Sequence, residues 1–322
     1  MVTLQKIAEL AHVSKCAASY AFSDKPEKRG KLSEETLLRI LSIAREYNYR
    51  PSVSGRGLAL SRSFSLGLLL PKKNVQSFSP HFMGMFHGVA DAISGSDYNL
   101  PLFFGWNEKL EDNLAQHRLD GLLVVARLKD SPVFGKLSRL DIPVLCLNRS
   151  GCGARSFSVR TDLAGWAREW LADFAGRGYR RVSLFTRDPK LLAMDAALAA
   201  QFPCLCREFG LEHGEYLVDD FDGTAPEDTA CLFRGDTAAL AKWFSSPGNE
   251  RRSAVFCSPE SCKERGYPPL CCGYHDSHKL GEVGAHTLIR AVEKENVPKE
   301  LLLPYQKTVQ YRPRKNHILE DF

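Results

Sequence analysis

From Phe64 onward, short apolar runs alternate with amphipathic segments, and this alternation constrains the fold more than any other feature of the sequence. Phe64–Pro71 predicts a buried strand, and Phe82–Ser94 predicts the helix that follows it. Such alternation is typical of a parallel, doubly wound sheet, and a segment of about 260 residues suffices for two lobes. Further strands are predicted at Leu100–Phe104, Gly121–Val125, Pro143–Leu147, Arg181–Phe185, Ala254–Cys257 and Leu270–Gly273, and further helices at Trp166–Ala175, Ala193–Phe202, Thr237–Phe244 and Leu280–Val292.

The first fifty residues predict three short helices and no strand. Thr3, Ser14 and Ser33 each precede an apolar helical pattern, and each hydroxyl can accept a hydrogen bond from a first-turn N–H group. The first two helices, Leu4–Ala11 and Lys15–Phe22, are separated by a tight turn, which is the helix-turn-helix pattern. A charged loop over residues 23–32 precedes the third helix. Five residues of that helix are expected in a three-helix core: Leu37, Ile40, Leu41, Ala44 and Tyr47.

The formal net charge of +5 is confined to this N-terminal segment. Residues 1–62 contain 11 Lys and Arg against 6 Asp and Glu, whereas the remaining chain contains 32 of each. A polyanion is the natural partner of such a segment. A three-helix domain that binds protein instead of DNA is the alternative.

Five motifs occur in order in this segment, and together they carry a family resemblance. They are Val-Thr-Leu-Gln-Lys-Ile-Ala at 2–8, Ala-His-Val-Ser at 11–14, Ala-Ser-Tyr-Ala at 18–21, Leu-Ser-Glu-Glu-Thr at 32–36 and Tyr-Arg-Pro at 49–51. The segment resembles the headpiece of the lactose-repressor (LacI/GalR) family of bacterial transcriptional regulators. His12 and Ser23 depart from that family, which usually has Gly and Asn at these positions.

The resemblance implies roles for six headpiece residues. Lys15, Cys16 and Tyr20 would face the major groove of DNA from the second helix. Thr3, Ser14 and Ser19 would contact phosphates, because hydroxyls and helix N-termini commonly bind them. Cys16 is a weak hydrogen-bonding group, so base recognition would depend on fewer contacts than usual.

Residues 52–62 resemble the hinge helix of the same family. Leu58 matches the leucine that the family inserts into the minor groove, and Arg56 lies beside it. Gly55 and Gly57 each disfavour a helix by roughly 1 kcal/mol relative to Ala, so we expect this segment to fold on DNA. A plain flexible linker is the alternative.

The large domain resembles the family's periplasmic-binding-protein-like sensor of two doubly wound lobes. The expected organisation is a headpiece at 1–51, a hinge at 52–62 and this α/β domain at 63–322. Its N-lobe is expected at about 63–148 and 276–294, and its C-lobe at about 155–273 and 297–322.

Ligands of such sheets bind beyond the carboxyl ends of the strands, so residues that follow strands are candidates for effector binding. Arg and carboxylate groups would bind sugar hydroxyls, and aromatic rings would stack on a sugar face. The candidates are Phe78, His81, Phe82, Arg127, Arg149, Arg168, Glu260, His275 and Asp276. Each of these residues could equally be an ordinary residue of a surface loop.

The large domain departs from the family at several of these positions. His275 stands where the family usually has Asp, and Arg168 matches the family arginine only with one extra residue nearby. The substitution indicates a different effector, such as an anionic one, or a pocket that no longer binds any.

Several classes of function are not supported by the sequence. The ten cysteines lack zinc-site spacing, so buried reduced thiols are expected, with no metal and no cofactor. There is no H-E-x-x-H, G-x-S-x-G or P-loop motif, so an enzyme is not expected. Neither a membrane span nor a signal-peptide pattern is found, so we expect a cytoplasmic protein.

The sequence therefore predicts a dimeric regulator, most simply a repressor, that binds double-stranded, pseudo-palindromic operator DNA. A sugar or related metabolite held between the lobes would change its affinity for the operator. Two alternatives remain open: a regulator whose large domain serves for dimerisation and binds no ligand, and a solute-binding protein or enzyme with an incidental N-terminal domain.

Overall fold

The computed structural model describes residues 2–23, 26–50, 57, 60–71, 80–125, 132–187, 193–235, 238–257, 259–268 and 272–307. The chain forms two compact units, Met1–Phe64 and Ser65–Phe322. The first unit carries the predicted helix-turn-helix. The second carries the predicted α/β domain.

The N-terminal unit contains the helices α1 (Leu4–Leu10), α2 (Lys15–Ala21), α3 (Pro26–Arg29) and α4 (Glu34–Glu46). The short α3 lies where a charged loop was predicted. Thr3, Ser14 and Ser33 cap α1, α2 and α4, as predicted. Each hydroxyl oxygen accepts a hydrogen bond from the backbone N–H of the residue three positions later, with N–O distances of 3.3, 3.1 and 3.2 Å. Each cap satisfies one of the first-turn N–H groups that no helix can bond internally.

The core of this unit joins all three longer helices. Ile7, Ala21 and Ile40 are completely buried, and the rings of Phe22 and Tyr49 pack edge to face at 5.4 Å. The prediction that Tyr47 belongs to this core is wrong, because Tyr47 is the exposed C-cap of α4. The chain then turns at Asn48, whose φ of 48° is left-handed, and brings Tyr49 inward instead.

Two sheets of six strands each form the second unit, in the part of the chain that the structure describes. The strands of the first sheet are β1 (Leu66–Leu70), β2 (Leu102–Phe104), β3 (Gly121–Val125), β4 (Val144–Leu147), β5 (Ser156–Thr161) and β11 (Glu300–Leu303). Their order in the sheet is β11-β5-β4-β3-β1-β2, and the strands pair in parallel. β1, β3 and β4 are buried throughout.

The strands of the second sheet are β6 (Arg181–Thr186), β7 (Glu212–Leu217), β8 (Thr229–Arg234), β9 (Ser253–Phe256), β10 (Cys272–Tyr274) and β12 (Gln306–Lys307). Their order in the sheet is β12-β10-β9-β8-β6-β7, and they also pair in parallel except for the antiparallel β12. The helices of the unit are α5 (Pro80–Ser94), α6 (Glu108–Ala115), α7 (Pro132–Leu137), α8 (Leu163–Gly176), α9 (Ala193–Glu208), α10 (Ala238–Phe244), α11 (Pro259–Glu264) and α12 (Ser277–Val292). Two doubly wound parallel sheets confirm the predicted fold class.

The expected lobe boundaries require a correction. β5 and β11 were expected in the C-lobe, which was to begin at 155 and resume at 297. Both strands belong to the first sheet, where Ser156 pairs with Val144 and Glu300 pairs with Ser158. The strand pattern of a segment does not specify which sheet will accept its hydrogen bonds, and that choice depends on tertiary structure.

Helices α5 and α12 cross in very close contact. A Cβ atom added at Gly88 would collide with the carbonyl oxygen of His278, and one added at Gly281 would collide with that of Met85. Glycine at these positions therefore allows the two backbones to approach, and it fixes the position at which α12 begins beside the first sheet.

Candidate functional sites

Helix α2 presents a polar face to solvent. Its buried residues are Ala18 and Ala21, whereas Lys15, Cys16 and Ser19 are exposed. Alanine on the inner face permits close packing on α1, and the opposite face is left for contact with another molecule. The structure thus places three of the residues that the sequence predicted for DNA contact on one exposed face.

The aromatic residue of this face is held by two neighbours. The hydroxyl of Tyr20 and the thiol of Cys16 are hydrogen-bonded across one turn of α2, and this bond raises the pKa of Tyr20. The Lys31 ammonium group lies 5.6 Å from the centroid of the Tyr20 ring. Tyr20 is therefore positioned before any partner arrives, and Cys16 contributes through Tyr20 as well as through its own exposed sulfur.

The predicted phosphate contacts coincide with the helix caps. The oxygen atoms of Thr3 and Ser14 accept backbone hydrogen bonds, which leaves the hydroxyl protons to donate to another group. Arg56 and Leu58 of the expected hinge lie outside the described residues.

In the second unit, a polar cluster lies where strands of both sheets end. His81 on α5 forms two contacts: Nδ1 with Ser277 Oγ at 2.5 Å, and Nε2 with Asn148 Nδ2 at 3.1 Å. Asn148 follows β4 in a left-handed conformation with φ 56°, and its Oδ1 accepts from the Thr161 N–H at 3.4 Å. The residues that follow β4 and β5 therefore converge on one histidine.

His275, which follows β10, joins the two sheets within this cluster. Its Nδ1 lies 2.7 Å from the hydroxyl of Thr161 on β5, and its Nε2 lies 3.4 Å from Nη2 of Arg234 on β8. The ring lies 4.6 Å from that of His81 and 4.7 Å from that of Phe256, centroid to centroid. These contacts confirm that the carboxyl ends of the strands assemble polar and aromatic groups at one place.

The hydrogen-bonding partners determine the proton positions on both histidines. A guanidinium group can only donate, so Nε2 of His275 accepts from Arg234 and the ring proton resides on Nδ1. Because the Thr161 N–H orients the Asn148 amide, Nδ2 of Asn148 donates to His81 Nε2. His81 therefore carries its proton on Nδ1 as well and donates to Ser277, which donates to the His275 carbonyl at 3.5 Å. Both rings are neutral in this arrangement.

Arg234 also forms a buried ion pair. Its Nε atom lies 3.2 Å from Oδ1 of Asp195 on α9, without the alignment of a well-formed hydrogen bond. Burial raises the pKa of Asp195, and the positive charge of Arg234 opposes that increase. The guanidinium also lies over the ring of Phe256, at 5.1 Å from its centroid.

The remaining predicted effector residues have other surroundings. Arg168 on α8 is exposed and forms a bidentate ion pair with Glu208 on α9, at 2.9 and 3.3 Å. Arg149 is buried with its guanidinium 3.4 Å from the Phe134 ring centroid. These contacts give both arginines structural partners, and their assignment to an effector stays a prediction. The spacing of apolar residues in the sequence did not reveal which face of α8 carries Arg168.

Five other residues were predicted to bind the effector. Phe82 is buried on α5, and Asp276 caps α12 by accepting from the Lys279 N–H at 2.9 Å. Glu260 belongs to α11, and the placement of its side chain lies outside the described residues. Phe78 and Arg127 also lie outside them.

Arg234, Thr161 and Asp195 were not predicted as effector candidates from the sequence. Arg234 is the last residue of β8, so the rule that ligands bind at strand ends would have selected it had β8 been predicted. Thr161 likewise ends β5, which was also missed. Asp195 gave only one signal, an acidic residue within an alanine-rich helix that packs against the sheet.

Within the described residues, no group of three His, Cys, Asp or Glu side chains is arranged to hold a metal ion. No described helix is long and apolar enough to cross a membrane.

Comparison with known proteins finds a family that the N-terminal unit resembles. Residues 3–52 match the model for bacterial regulatory proteins of the lacI family. The sucrose operon repressor of Klebsiella pneumoniae is 33% identical over 166 residues, which cover 50% of this chain and 48% of that protein. The probable HTH-type transcriptional repressor ExuR of Bacillus subtilis is 31% identical over 150 residues, covering 46% and 44%. The chain thus spans about half the length of these curated relatives.

Solved structures extend the similarity of fold to the second unit. The Lac repressor dimer bound to operator and the anti-inducer ONPF has a TM-score of 0.61 at 16% identity, covering 95% of this chain and 98% of that one. The transcriptional regulator CelR in complex with cellobiose has a TM-score of 0.58 at 19% identity, covering 96% and 99%. The fold defines a helix-turn-helix protein with a two-sheet α/β domain like those of periplasmic-binding-protein-like structures. Residues 3–52 are similar to the lacI family of bacterial regulatory proteins, and the similarity of the second unit to these structures is one of fold.

Proposed function

We propose that this protein is a transcriptional repressor that binds a pseudo-palindromic operator as a homodimer and responds to a small molecule. The observation that carries the proposal is the exposed face of α2, formed by Lys15, Cys16 and Ser19, within the segment that matches the lacI family. The confinement of the net positive charge to residues 1–62 supports DNA as the partner.

The polar cluster supports a small-molecule effector. It offers the neutral imidazoles of His81 and His275, the guanidinium of Arg234 and the carboxylate of Asp195 at the carboxyl ends of parallel strands. Sugar hydroxyls both donate and accept, so they match this mixture of groups. Similar proteins are described as a sucrose operon repressor and a complex of CelR with cellobiose, and a sugar is accordingly the proposed effector class.

Exposed apolar residues on two edge strands support a homodimer. Leu102 and Phe104 lie on β2 at the edge of the first sheet, and Tyr216 and Leu217 lie on β7 at the edge of the second. An edge strand with exposed apolar side chains is a site at which a second chain commonly packs. A symmetric dimer would present two copies of α2, which is why the operator is proposed to be pseudo-palindromic.

The second candidate keeps DNA binding and dimerisation but removes the effector. The observation in its favour is that the cluster already satisfies much of its own hydrogen bonding, as in the chain from Asn148 through His81 and Ser277 to the His275 carbonyl. A ligand would have to replace some of these bonds.

DNA binding is tested by selection of bound duplexes from a random pool with the full-length protein. We expect enrichment of an inverted repeat and loss of that enrichment in Lys15→Gln. Lys109→Gln, which removes an exposed lysine from α6, serves as the matched control and should enrich the same repeat. Recovery of unrelated duplexes by the wild-type protein would contradict the proposal.

Effector binding is tested by thermal unfolding in the presence of sugars, sugar phosphates and nucleosides. A compound that binds only the native state, present at a concentration 100 times its Kd, stabilises that state by about 2.7 kcal/mol and therefore raises Tm. Arg234→Gln should abolish the shift, whereas Arg168→Gln should retain it. If no compound changes Tm while the operator is still selected, the second candidate is supported.

A further inference from the structure

Two cysteines lie close together where β4 leads into the turn before β5. Cys146 is buried in β4, Cys152 is half-buried in the turn, and their sulfur atoms are 3.7 Å apart. A disulfide has an S–S distance of about 2.05 Å, so the sulfur atoms need to approach by about 1.7 Å. The turn has glycine on both sides of Cys152, at Gly151 and Gly153, and it is held by Ser156 Oγ, which accepts from the N–H groups of Cys152 and Gly153 at 2.8 Å.

The surroundings make these two thiols chemically different. A hydrogen bond from Cys146, together with the positive charge of Arg149, lowers the pKa of Cys152 to about 7, although partial burial opposes the change. The same hydrogen bond and deep burial raise the pKa of Cys146. A thiolate is the reactive form of cysteine, and solvent reaches Cys152 more easily than Cys146.

We propose that Cys152 and Cys146 form a peroxide-reactive dithiol within this regulator. The Cys152 thiolate attacks the distal oxygen of a hydroperoxide, an S–O bond forms and the O–O bond breaks, so that Cys152 becomes a sulfenic acid. The leaving alkoxide or hydroxide takes a proton from solvent and departs as an alcohol or water. The Cys146 thiol then attacks the sulfur of that sulfenic acid, an S–S bond forms, and water leaves. The two thiols are oxidised by two electrons in total, and the hydroperoxide is reduced by two.

Oxidation of this pair acts on the polar cluster. Asn148, which lies between the two cysteines, bonds both His81 and the Thr161 backbone. Arg149 lies beside the same sulfur atoms and donates to the Ser150 carbonyl at 3.2 Å. Moving Cys152 toward β4 therefore displaces the turn that holds Asn148 in its left-handed conformation. The site is consequently placed to connect the oxidation state of the turn with the groups proposed to bind the effector.

A second cysteine pair provides an internal comparison. The sulfur atoms of Cys257 and Cys262 are only 3.0 Å apart, but each residue is 6% exposed. If proximity of the sulfur atoms decided oxidation, this second pair would react first. A hydroperoxide has less access to these two sulfur atoms than to that of Cys152, so access and thiolate character predict oxidation of the pair at Cys146 and Cys152 instead.

The test treats the reduced, full-length protein with one equivalent of hydrogen peroxide, blocks free thiols with N-ethylmaleimide and maps the peptides by mass spectrometry. We expect a cross-link between Cys146 and Cys152. At pH 7 the reaction should be about tenfold faster than that of a thiol with a pKa of about 8.5, measured with the single cysteine of a short unstructured peptide. Cys146→Ser should leave a sulfenic acid at Cys152 that dimedone traps, and Cys257→Ser should leave the cross-link unchanged.

Two further results decide the proposal without depending on DNA binding. The reaction rate of the wild-type protein should follow the thiolate of Cys152, so it should reach half of its maximum near pH 7 and level off at higher pH. Oxidation should also change amide hydrogen exchange over residues 148–155. A cross-link at Cys257 and Cys262 alone, or the absence of any product at Cys152 in the wild-type map, would overturn the proposal.

Discussion

Asp195 and Arg234 form an ion pair from which water is almost excluded: their side chains are 1% and 12% exposed, and Oδ1 and Nε are 3.2 Å apart. Asp195 lies on α9 and Arg234 ends β8, so the pair fixes the helix to the sheet at the edge where the cluster forms. The desolvation of two charges offsets much of their attraction, so the pair contributes more to the arrangement of the site than to overall stability.

Asp195→Ala should destabilise the second unit by about 3–5 kcal/mol, because it leaves the Arg234 charge buried without its carboxylate. The double variant Asp195→Ala with Arg234→Met should recover a large part of that loss. Urea unfolding followed by tryptophan fluorescence measures both, since Trp166 and Trp243 are buried in this unit. If the single and double variants were equally stable, the loss in Asp195→Ala would not come from the uncompensated charge of Arg234.

Gly88→Ala should destabilise the second unit by about 1–3 kcal/mol or more, because its Cβ would meet the backbone of α12 and the helices would have to separate. Gly176→Ala at the end of α8 is the matched control, since a Cβ there meets nothing within 4 Å. Thermal unfolding should show a lower Tm for the first variant and an unchanged or higher Tm for the second. A normal Tm for Gly88→Ala would contradict the close crossing of α5 and α12.

Glu300→Gln should weaken the attachment of β11 in a pH-dependent manner. The hydrogen bond from Arg160 lowers the pKa of Glu300, with N–O distances of 2.8 and 3.0 Å. A lowered folded-state pKa stabilises the protein above the unfolded value of about 4.3, and this contribution disappears as pH falls through the folded value. Urea unfolding should therefore separate wild type from variant at pH 7, and the two should converge below about pH 4. A difference that persists in acid would assign the effect to lost packing.

His12 has a left-handed φ of 51° in the turn between α1 and α2. This conformation costs a non-glycine residue about 1–2 kcal/mol, and glycine loses about 0.5–1 kcal/mol through the entropy of its unfolded chain. His12→Gly should therefore increase hydrogen-exchange protection of α1 and α2 by up to about 1 kcal/mol, and His12→Val should reduce it. The reverse order would show that His12 makes a contact that offsets its backbone strain.

Leu58→Ala should weaken binding to the selected operator while leaving salt-dependent, nonspecific binding nearly unchanged. The proposed wedge bends DNA only at a specific site, and the substitution removes no charge. Leu60→Ala removes an exposed leucine two residues further on and is the matched control. Binding to specific and random duplexes at two salt concentrations measures the effect. Equal losses on both duplexes would contradict the hinge assignment.

The parts of the site that the sequence predicted are those that depend on local interactions. Thr3 and Ser14 were identified as caps because a hydroxyl before an apolar pattern needs only the next three residues to form its bond. The exposed face of α2 followed from helical periodicity, with Ala18 and Ala21 turned inward. His81 and His275 were found because they closely follow predicted strands.

The missed elements depend on long-range pairing. β7 is largely exposed at the edge of its sheet, so it lacks the apolar run by which strands are detected. β8 is buried but contains mixed residue types, and its omission concealed Arg234. The partner of Arg168 was equally inaccessible, because Glu208 lies on a different helix, 40 residues further along the chain.

The sequence alone determined the capped helix-turn-helix, the location of the positive charge and the alternation that requires parallel sheets, since each follows from the chemistry of neighbouring residues. Only the tertiary structure decided that β5 and β11 join the first sheet, that Arg234 pairs with Asp195, and that Cys152 lies beside Cys146. These relationships depend on which distant segments share hydrogen bonds or are buried together, and such choices minimise the free energy of the whole unit instead of that of any one segment.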